Sequence, residues 1–343
     1  MEWKTVKKIV GSRVIKTGVA IFITAWICEL LDWPPVFAVI TAIVTIEPTV
    51  SQSIKKGIVR FPASAIGSFY AVLFISLFGH DPITYALAAV FTIITTYRLK
   101  LYSGLLVATL TAVAMIEVIH ANFFLSFFIR LGTTTIGLIV STLVNLFVLP
   151  PDYTKEIDLK LKAITERTGK AVEITFCQYI LNQSGRQKCQ NVVDQLDQEV
   201  HKIESLIQYQ KDEAQYHPLT VAEQKEFQHA QRQLIRVKLM IYHMDNILNT
   251  PLTKLQLSDK EREKILESVH ELAYAMKLHT PFDLEKHHQQ LKDLMQLYWE
   301  DNDKVRHNQQ DYPTTFPAEI IVLYELVSIF TLVENYYKEQ KSG

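Results

Sequence analysis

Long uncharged apolar stretches fill the first 150 residues, and a helical mixture of polar and apolar positions fills the rest. Lys100 is followed by no charged residue until Glu117, and Arg130 by none until Asp152. A bilayer core needs roughly 20 apolar residues as helix, fewer where a segment is partly enclosed by protein. The candidate spans are Val14–Leu31, Val36–Ile46, Phe61–Phe78, Ile83–Tyr97, Tyr102–Ile119 and Leu125–Leu149. The second is too short to cross alone. It begins at Pro34-Pro35 and meets Glu47-Pro48, which suits a discontinuous element. Thr49–Val59 is amphipathic and fits either a surface helix or a plain continuation into the third span.

Beyond Asp152 the apolar residues recur every three to four positions. Ile157, Leu161, Ile164, Thr168, Val172 and Thr175 form one such stripe. Val192, Leu196, Val200, Ile203 and Ile207 form a second, and Leu234, Val237, Ile241 and Met244 a third. Breaks fall near Asn182–Gly185, His217-Pro218, Thr250-Pro251, Thr280-Pro281 and Tyr312-Pro313. Thr220 to Glu223 and Ser258 to Glu261 have capping-box spacing. No strand pattern stands out. The expected fold is all-α: a six-span helical membrane domain over 1–150 and a cytoplasmic helical bundle over 151–343, with about six helices in the bundle.

Charge sets an orientation. Lys4, Lys7, Lys8, Arg13 and Lys16 lie in the leader, Lys55, Lys56 and Arg60 in the second-to-third connection, and Arg98 and Lys100 in the fourth-to-fifth. Lys155, Lys160 and Lys162 follow the sixth span. The alternate connections carry Asp32, His80, Asp81, His120 and Asn122, with no Lys or Arg. Basic residues favour the cytoplasmic side, so both termini are expected there, in a multi-pass protein of the plasma membrane. The chain totals 343 residues, net charge −1 and mean hydropathy +0.09, averages that conceal the contrast between its halves. The charge gives no reason to invoke nucleic acid. Cys28, Cys177 and Cys189 form neither a disulfide framework nor a zinc set. The apolar run after the basic leader meets Asp32-Trp33-Pro34-Pro35 rather than a small-residue cleavage site, so it is expected to remain as the first membrane helix.

An internal repeat emerges at an offset of 70. Phe37–His80 laid over Val107–Pro150 matches Ala38 to Ala108, Thr41-Ala42 to Thr111-Ala112, Ile46-Glu47 to Ile116-Glu117, Arg60 to Arg130, Ile66-Gly67 to Ile136-Gly137 and Leu73 to Leu143. Each unit would hold three spans, an odd number, so the second would enter from the opposite face. Such inverted three-helix repeats are typical of secondary transporters.

The repeat singles out four charged residues. An ionised side chain inside the bilayer costs roughly 3 kcal/mol or more, so it faces a partner or water. Arg60 and Arg130 are candidate substrate-binding residues, able to hold an anion by a two-pronged hydrogen bond. Glu47 and Glu117 are candidate proton-coupling residues and candidate partners of Arg130, since a half-buried carboxylate can titrate nearer neutrality. The competing reading places Glu47, Glu117 and Arg130 at headgroup level, snorkelling to water. Gly67 and Gly137 favour close helix approach. Trp26, Trp33 and Tyr102 suit interfacial anchors.

The histidines of the polar half, His217, His229, His243, His270, His287 and His288, lack ligand spacing and are expected at a solvated surface. Glu261, Glu263 and Glu267 fit a solvated face paired with Lys260 and Lys264. No phosphate-binding loop, nucleophile elbow or zinc-protease motif occurs, so no cofactor, metal or enzymatic activity is expected.

The run Phe37-Ala38-Val39-Ile40-Thr41 through Glu47-Pro48-Thr49, followed by Lys56-Gly57-x-x-Arg60 and Ile66-Gly67, resembles the aromatic acid exporter family within the fusaric acid resistance protein-like superfamily. The whole-chain layout is similar to its small bacterial branch with a helical C-terminal domain. The resemblance implies proton-driven efflux of aromatic carboxylic acids or similar organic anions. It also implies a homo-oligomer, because larger relatives carry a second membrane domain. A membrane-anchored scaffold or sensor, with the helical domain binding a partner, is the alternative function.

Overall fold

The computed structural model describes residues 11–118, 123–181, 185–250, 255, 257–277, 281–307 and 317–342. Lys4, Lys7, Lys8, His120, Asn122, Pro251, Thr280 and the Tyr312-Pro313 break lie outside them. Among the described residues the chain is all-α, with twelve α-helices and no strand. It divides into two compact units: 1–152 together with 211–218, and 153–210 together with 219–343.

The first unit holds α1 (Ser12–Leu30), α2 (Val36–Thr45), α3 (Val50–Phe78), α4 (Pro82–Arg98), a short 3₁₀ turn (Tyr102–Gly104), α5 (Leu105–Val118) and α6 (Phe123–Phe147). Their boundaries follow local chemistry. Thr49 caps α3 by accepting the Gln52 N–H, and Asp81 caps α4 by accepting the Ile83 N–H ahead of Pro82 at the first turn. Gly79 ends α3 with φ of +64°, a conformation in which a Cβ would be strained. Thr49–Val59 is no separate surface helix: α3 runs unbroken through Pro62 for 29 residues. Among the described residues, α3 and α6 are long and apolar enough to cross a bilayer, while α2 and the Tyr102–Glu117 stretch are shorter apolar helices. Phe22, Leu77, Phe124 and Phe147 project outward, exposed by 63–83%. Apolar exposure on that scale suits a hydrocarbon surrounding.

Packing repeats within this unit. α1 lies on α2 and α6, and α4 lies on α5 and α3; α2 packs on α6, and α5 on α3. Two glycines permit the closest approaches to a neighbouring helix backbone. A Cβ on Gly67 would sit 2.3 Å from the Ala108 carbonyl oxygen, and one on Gly137 2.5 Å from that of Ala38. Both pairs are related by the offset of 70. Ser64 and Thr134, also 70 apart, share a hydrogen bond at 3.3 Å.

The second unit holds α7 (Thr154–Ile180), α8 (Arg186–Glu213, whose last three residues belong to the first unit), α9 (Val221–Asn249), α10 (Asp259–Ala275), α11 (Leu284–His307) and α12 (Ala318–Ser342). The three stripes converge on one core with Phe176, Leu272, Leu326 and Phe330. Capping boxes form at Thr220 with Glu223 and at Ser258 with Glu261.

His270 and His288 are exposed, as expected, whereas His243 and His287 depart from the solvated expectation. His287 is buried between Phe282 and Phe330, and its Nε2 lies 2.9 Å from the Phe330 carbonyl oxygen. His243 meets Glu325, His270 meets Glu173 at 2.6 Å, and His288 meets Glu334 at 3.2 Å. Lys264 reaches Asp293 at 3.8 Å, and Glu261 caps α10.

Candidate functional site

Two buried guanidiniums organise the polar interior of the first unit, one on α3 and one on α6. Arg60, 6% exposed, is fully engaged. Its Nη2 binds Glu47 Oε1 at 2.8 Å, its Nη1 donates to the Val44 carbonyl at 3.0 Å, and its Nε donates to the Ser103 carbonyl at 3.3 Å. Lys56 takes the other carboxylate oxygen of Glu47 at 2.9 Å. The bond to Val44 is available because α2 stops at Thr45, which frees its last carbonyls for side-chain donors.

The polar cluster continues from Glu47. Its backbone oxygen accepts from Asn145 Nδ2 at 3.1 Å, and that same nitrogen donates to Ser53 Oγ at 2.9 Å. Asn145 Oδ1 accepts from Lys16 Nζ at 2.7 Å. Lys16, expected in a basic leader, is therefore an internal residue, 4% exposed. The Val50 N–H at the start of α3 donates to Glu213 Oε2 at 3.1 Å, and His217 Nδ1 lies 2.7 Å from Glu213 Oε1. A carboxylate at a helix N-terminus is favoured by the helix dipole.

Arg130 is held differently. Only 3% exposed, it has no carboxylate within 4 Å among the described residues. Its Nη1 donates to Thr134 Oγ1 at 2.8 Å and its Nη2 to Thr111 Oγ1, while its Nε is buried without a hydrogen-bond partner. The guanidinium carbon lies 4.4 Å from the centre of the Phe37 ring. Pro34, Phe37, Met115, Ser126, Ile129 and Thr133 join Arg130 around a cavity of about 200 Å³. Glu117 does not pair with Arg130; it accepts from the Tyr85 hydroxyl. The four charged residues picked out by sequence thus divide: Arg60 and Glu47 form an ion pair, whereas Arg130 and Glu117 stand apart. Sequence reasoning passed over Thr111, Thr134 and Phe37 as contacts of Arg130. Thr111 and Phe37 come from α5 and α2, so only the folded packing brings them there. Trp33, expected as an interfacial anchor, packs its ring against Gly132, whereas Trp26 and Tyr102 are exposed.

A buried guanidinium above an aromatic ring, with a donor left over and a cavity beside it, offers a carboxylate what it needs. Charge-assisted N–H donors take the oxygens, and apolar walls take a ring.

A UPF0421 protein from Oceanobacillus iheyensis is 46% identical over 333 residues, spanning 96% of each chain, and a family model described as aromatic acid exporter family member 1 matches residues 8–148. The chain belongs to the aromatic acid exporter family. A UPF0421 protein from Bacillus cereus is 40% identical over 328 residues, covering 95% of this chain and 92% of its own. One from Staphylococcus saprophyticus is 41% identical over 246 residues, covering 71% and 75%. The exporter-family match falls on the helices that carry Arg60 and Arg130, and membership suggests a membrane transporter.

Proposed function

We propose that this exporter-family chain is a secondary transporter of small organic anions, foremost aromatic carboxylates, and that Arg130 is the residue that receives the carboxylate. The observation that carries this reading is the buried Arg130 guanidinium, without an acidic partner among the described residues, facing Phe37 and a cavity. A buried cation lacking a counter-ion is costly, by several kcal/mol after relaxation. A substrate carboxylate would remove that cost on binding. The cavity is smaller than the roughly 300 Å³ at which drug-sized pockets begin, which favours a single ring.

In this reading the first unit crosses the plasma membrane six times, both termini and the second unit are cytoplasmic, and the two three-helix halves are inverted repeats. The agreement of α1, α2 and α3 with α4, α5 and α6 in order and at the offset of 70 supports it. So do the reciprocal glycine approaches and the alternation of basic connections. Arg60, saturated by Glu47 and two carbonyls, acts in positioning rather than as the primary anion ligand. Proton coupling is assigned to Glu117, which meets a neutral hydroxyl, ahead of Glu47, which is bound by two cations.

The test is flux of labelled 4-hydroxybenzoate in membrane vesicles under an imposed pH gradient. The parent chain should transport, Arg130→Gln should reduce flux at least tenfold at equal protein level, and Glu117→Gln should uncouple flux from the gradient. Equal flux in Arg130→Gln and the parent would overturn the assignment.

A further inference from the structure

A groove of about 590 Å³ runs along the surface of the first unit between α3 and α6. Its walls are almost wholly apolar, with Ile54, Gly57 and Phe61 on α3 and Leu138, Ile139 and Thr142 on α6. Gly57 creates the hollow. A Cβ there would meet only Leu138 Cδ2, at an ordinary 3.5 Å, so helix approach does not require glycine as it does at Gly67. Its missing side chain leaves open volume instead. The equivalent position, 70 residues on, is Phe127, which packs on the core of Ala71, Phe74 and Met115. The groove is also short. From Ser53 to Phe61 α3 rises about 12 Å, close to the roughly 15 Å of one leaflet's hydrocarbon. Further along the same faces the surface bulges. Phe69 and Phe128, three helical turns from Ile58 and Ile139, are 55% and 63% exposed. A partner helix lying along α3 and α6 would have to cross these rings, whereas a chain confined to one leaflet stops before them. Charge marks the other end. Lys55, next to Ile54, is exposed and makes no ion pair among the described residues, and Lys56 is half-exposed. Lys55, Lys56 and Arg60 outnumber Glu47 and Glu213 there.

We propose that this groove binds an anionic phospholipid of the cytoplasmic leaflet, with one acyl chain over Gly57, an ester carbonyl at Thr142 and the headgroup phosphate at Lys55. The inference rests on the proposed bilayer crossing, which puts the start of α3 and its lysines on the cytoplasmic side. Each part of the lipid meets a matching group. The apolar walls take the chain, since hydrocarbon in the hollow restores contacts that Gly57 leaves unmade. An acyl ester has oxygens that accept and none that donate, and Thr142 supplies a donor. Its hydroxyl makes no hydrogen bond among the described residues, whereas that of Thr135 already donates to the Leu131 carbonyl at 2.9 Å. Basic residues at the cytoplasmic end of a cleft between spanning helices attract anionic headgroups. A zwitterionic lipid fits the same hollow but brings no net charge to Lys55.

The experiment titrates the full-length chain, purified in detergent, with dioleoyl phosphatidylglycerol or dioleoyl phosphatidylcholine and counts bound lipid by native mass spectrometry. The parent should bind its first phosphatidylglycerol at least tenfold more tightly than phosphatidylcholine. Lys55→Gln, at an exposed position, should cut that preference about fivefold and leave phosphatidylcholine binding unchanged. Gly57→Phe, which copies the residue at the equivalent position, should weaken both lipids at least tenfold. Thr142→Val should weaken both by about threefold. If Gly57→Phe does not fold, Lys55→Gln and Thr142→Val decide the matter. Parity between the lipids in the parent, a preference unmoved by Lys55→Gln, or affinities unmoved by Gly57→Phe or by Thr142→Val overturn the site. So does a disulfide between two chains through Ile58→Cys, with Cys28, Cys177 and Cys189 replaced by alanine, since a second copy would then fill the groove. Asp81→Cys in that same background tests the crossing separately, with an impermeant thiol reagent. Labelling on intact cells supports the crossing, and a missing lipid preference then removes this inference alone. Labelling only after permeabilisation removes the crossing and this inference with it. No substrate enters the readout, so the result is independent of Arg130 and of benzoate.

Discussion

Alanine at Gly67 probes the closest helix contact in the first unit. Its Cβ would stand 2.3 Å from the Ala108 carbonyl oxygen and 3.0 Å from the carbonyl carbon. Carbon and oxygen normally rest above about 3 Å, so α3 and α5 must part by roughly 1 Å or distort. The obstacle is backbone on a packed helix, which cannot swing aside as a side chain can. Overpacking of this kind costs about 1–3 kcal/mol. Gly137→Ala meets the equivalent obstacle, the Ala38 oxygen at 2.5 Å, and should cost the same within a factor of two. Gly18, on α1, is the control: nothing lies within 4 Å of its Cβ position, so alanine there should stabilise by about 0.5–1 kcal/mol through helix propensity. At about 2–4 °C per kcal/mol for a unit of this size, the apparent Tm in detergent should fall by about 2–12 °C for Gly67→Ala and Gly137→Ala. It should hold or rise for Gly18→Ala. The reasoning is refuted if Gly67→Ala melts with or above the parent, or if the three variants are indistinguishable.

Three further outcomes concern the second unit. Thr220→Ala removes the capping box of α9 and should destabilise the chain by about 1 kcal/mol, measured by denaturant unfolding of the helical signal. Phe330→Ala empties a fully buried site that touches the His287 ring and should cost about 3–5 kcal/mol, visible as lost expression or a large fall in Tm. Burial pushes the His287 imidazole below its usual pKa, so the folded chain resists protonation there while the unfolded chain does not. The resulting stability is present above about pH 6.5 and is lost as pH falls through that value toward the depressed folded pKa. His287→Gln should flatten the Tm-against-pH curve over that window, and an unchanged curve would count against the burial argument.

The sequence foretold features that depend on neighbours along the chain. Three-to-four spacing located Ile157, Leu196 and Val237 in the core, and both capping boxes form where Thr220 and Ser258 stand three residues before a glutamate. The all-α class follows from the same periodicities. What escaped depends on contacts between distant segments. Glu47 was expected as a candidate partner of Arg130; the end of α2 instead places Glu47 and Val44 beside Arg60. Lys16 looked like one charge among several in a basic leader, and its burial follows from Asn145, 129 residues away. His287 was expected at a solvated surface because it lacks ligand spacing with another histidine or cysteine, whereas Phe282 and Phe330 enclose its ring. Arg130 was legible as an anomaly, a cation amid an apolar run, but its cavity and its Phe37 ring were not.

Equilibrium binding of benzoate to the purified full-length chain in detergent isolates the claim that Arg130 receives a carboxylate, free of transport direction or coupling. Benzoate should bind the parent, benzamide should bind at least tenfold more weakly, and Arg130→Gln should abolish that preference for the charged ligand. Equal binding of benzoate and benzamide, or undiminished benzoate binding by Arg130→Gln, would contradict the account.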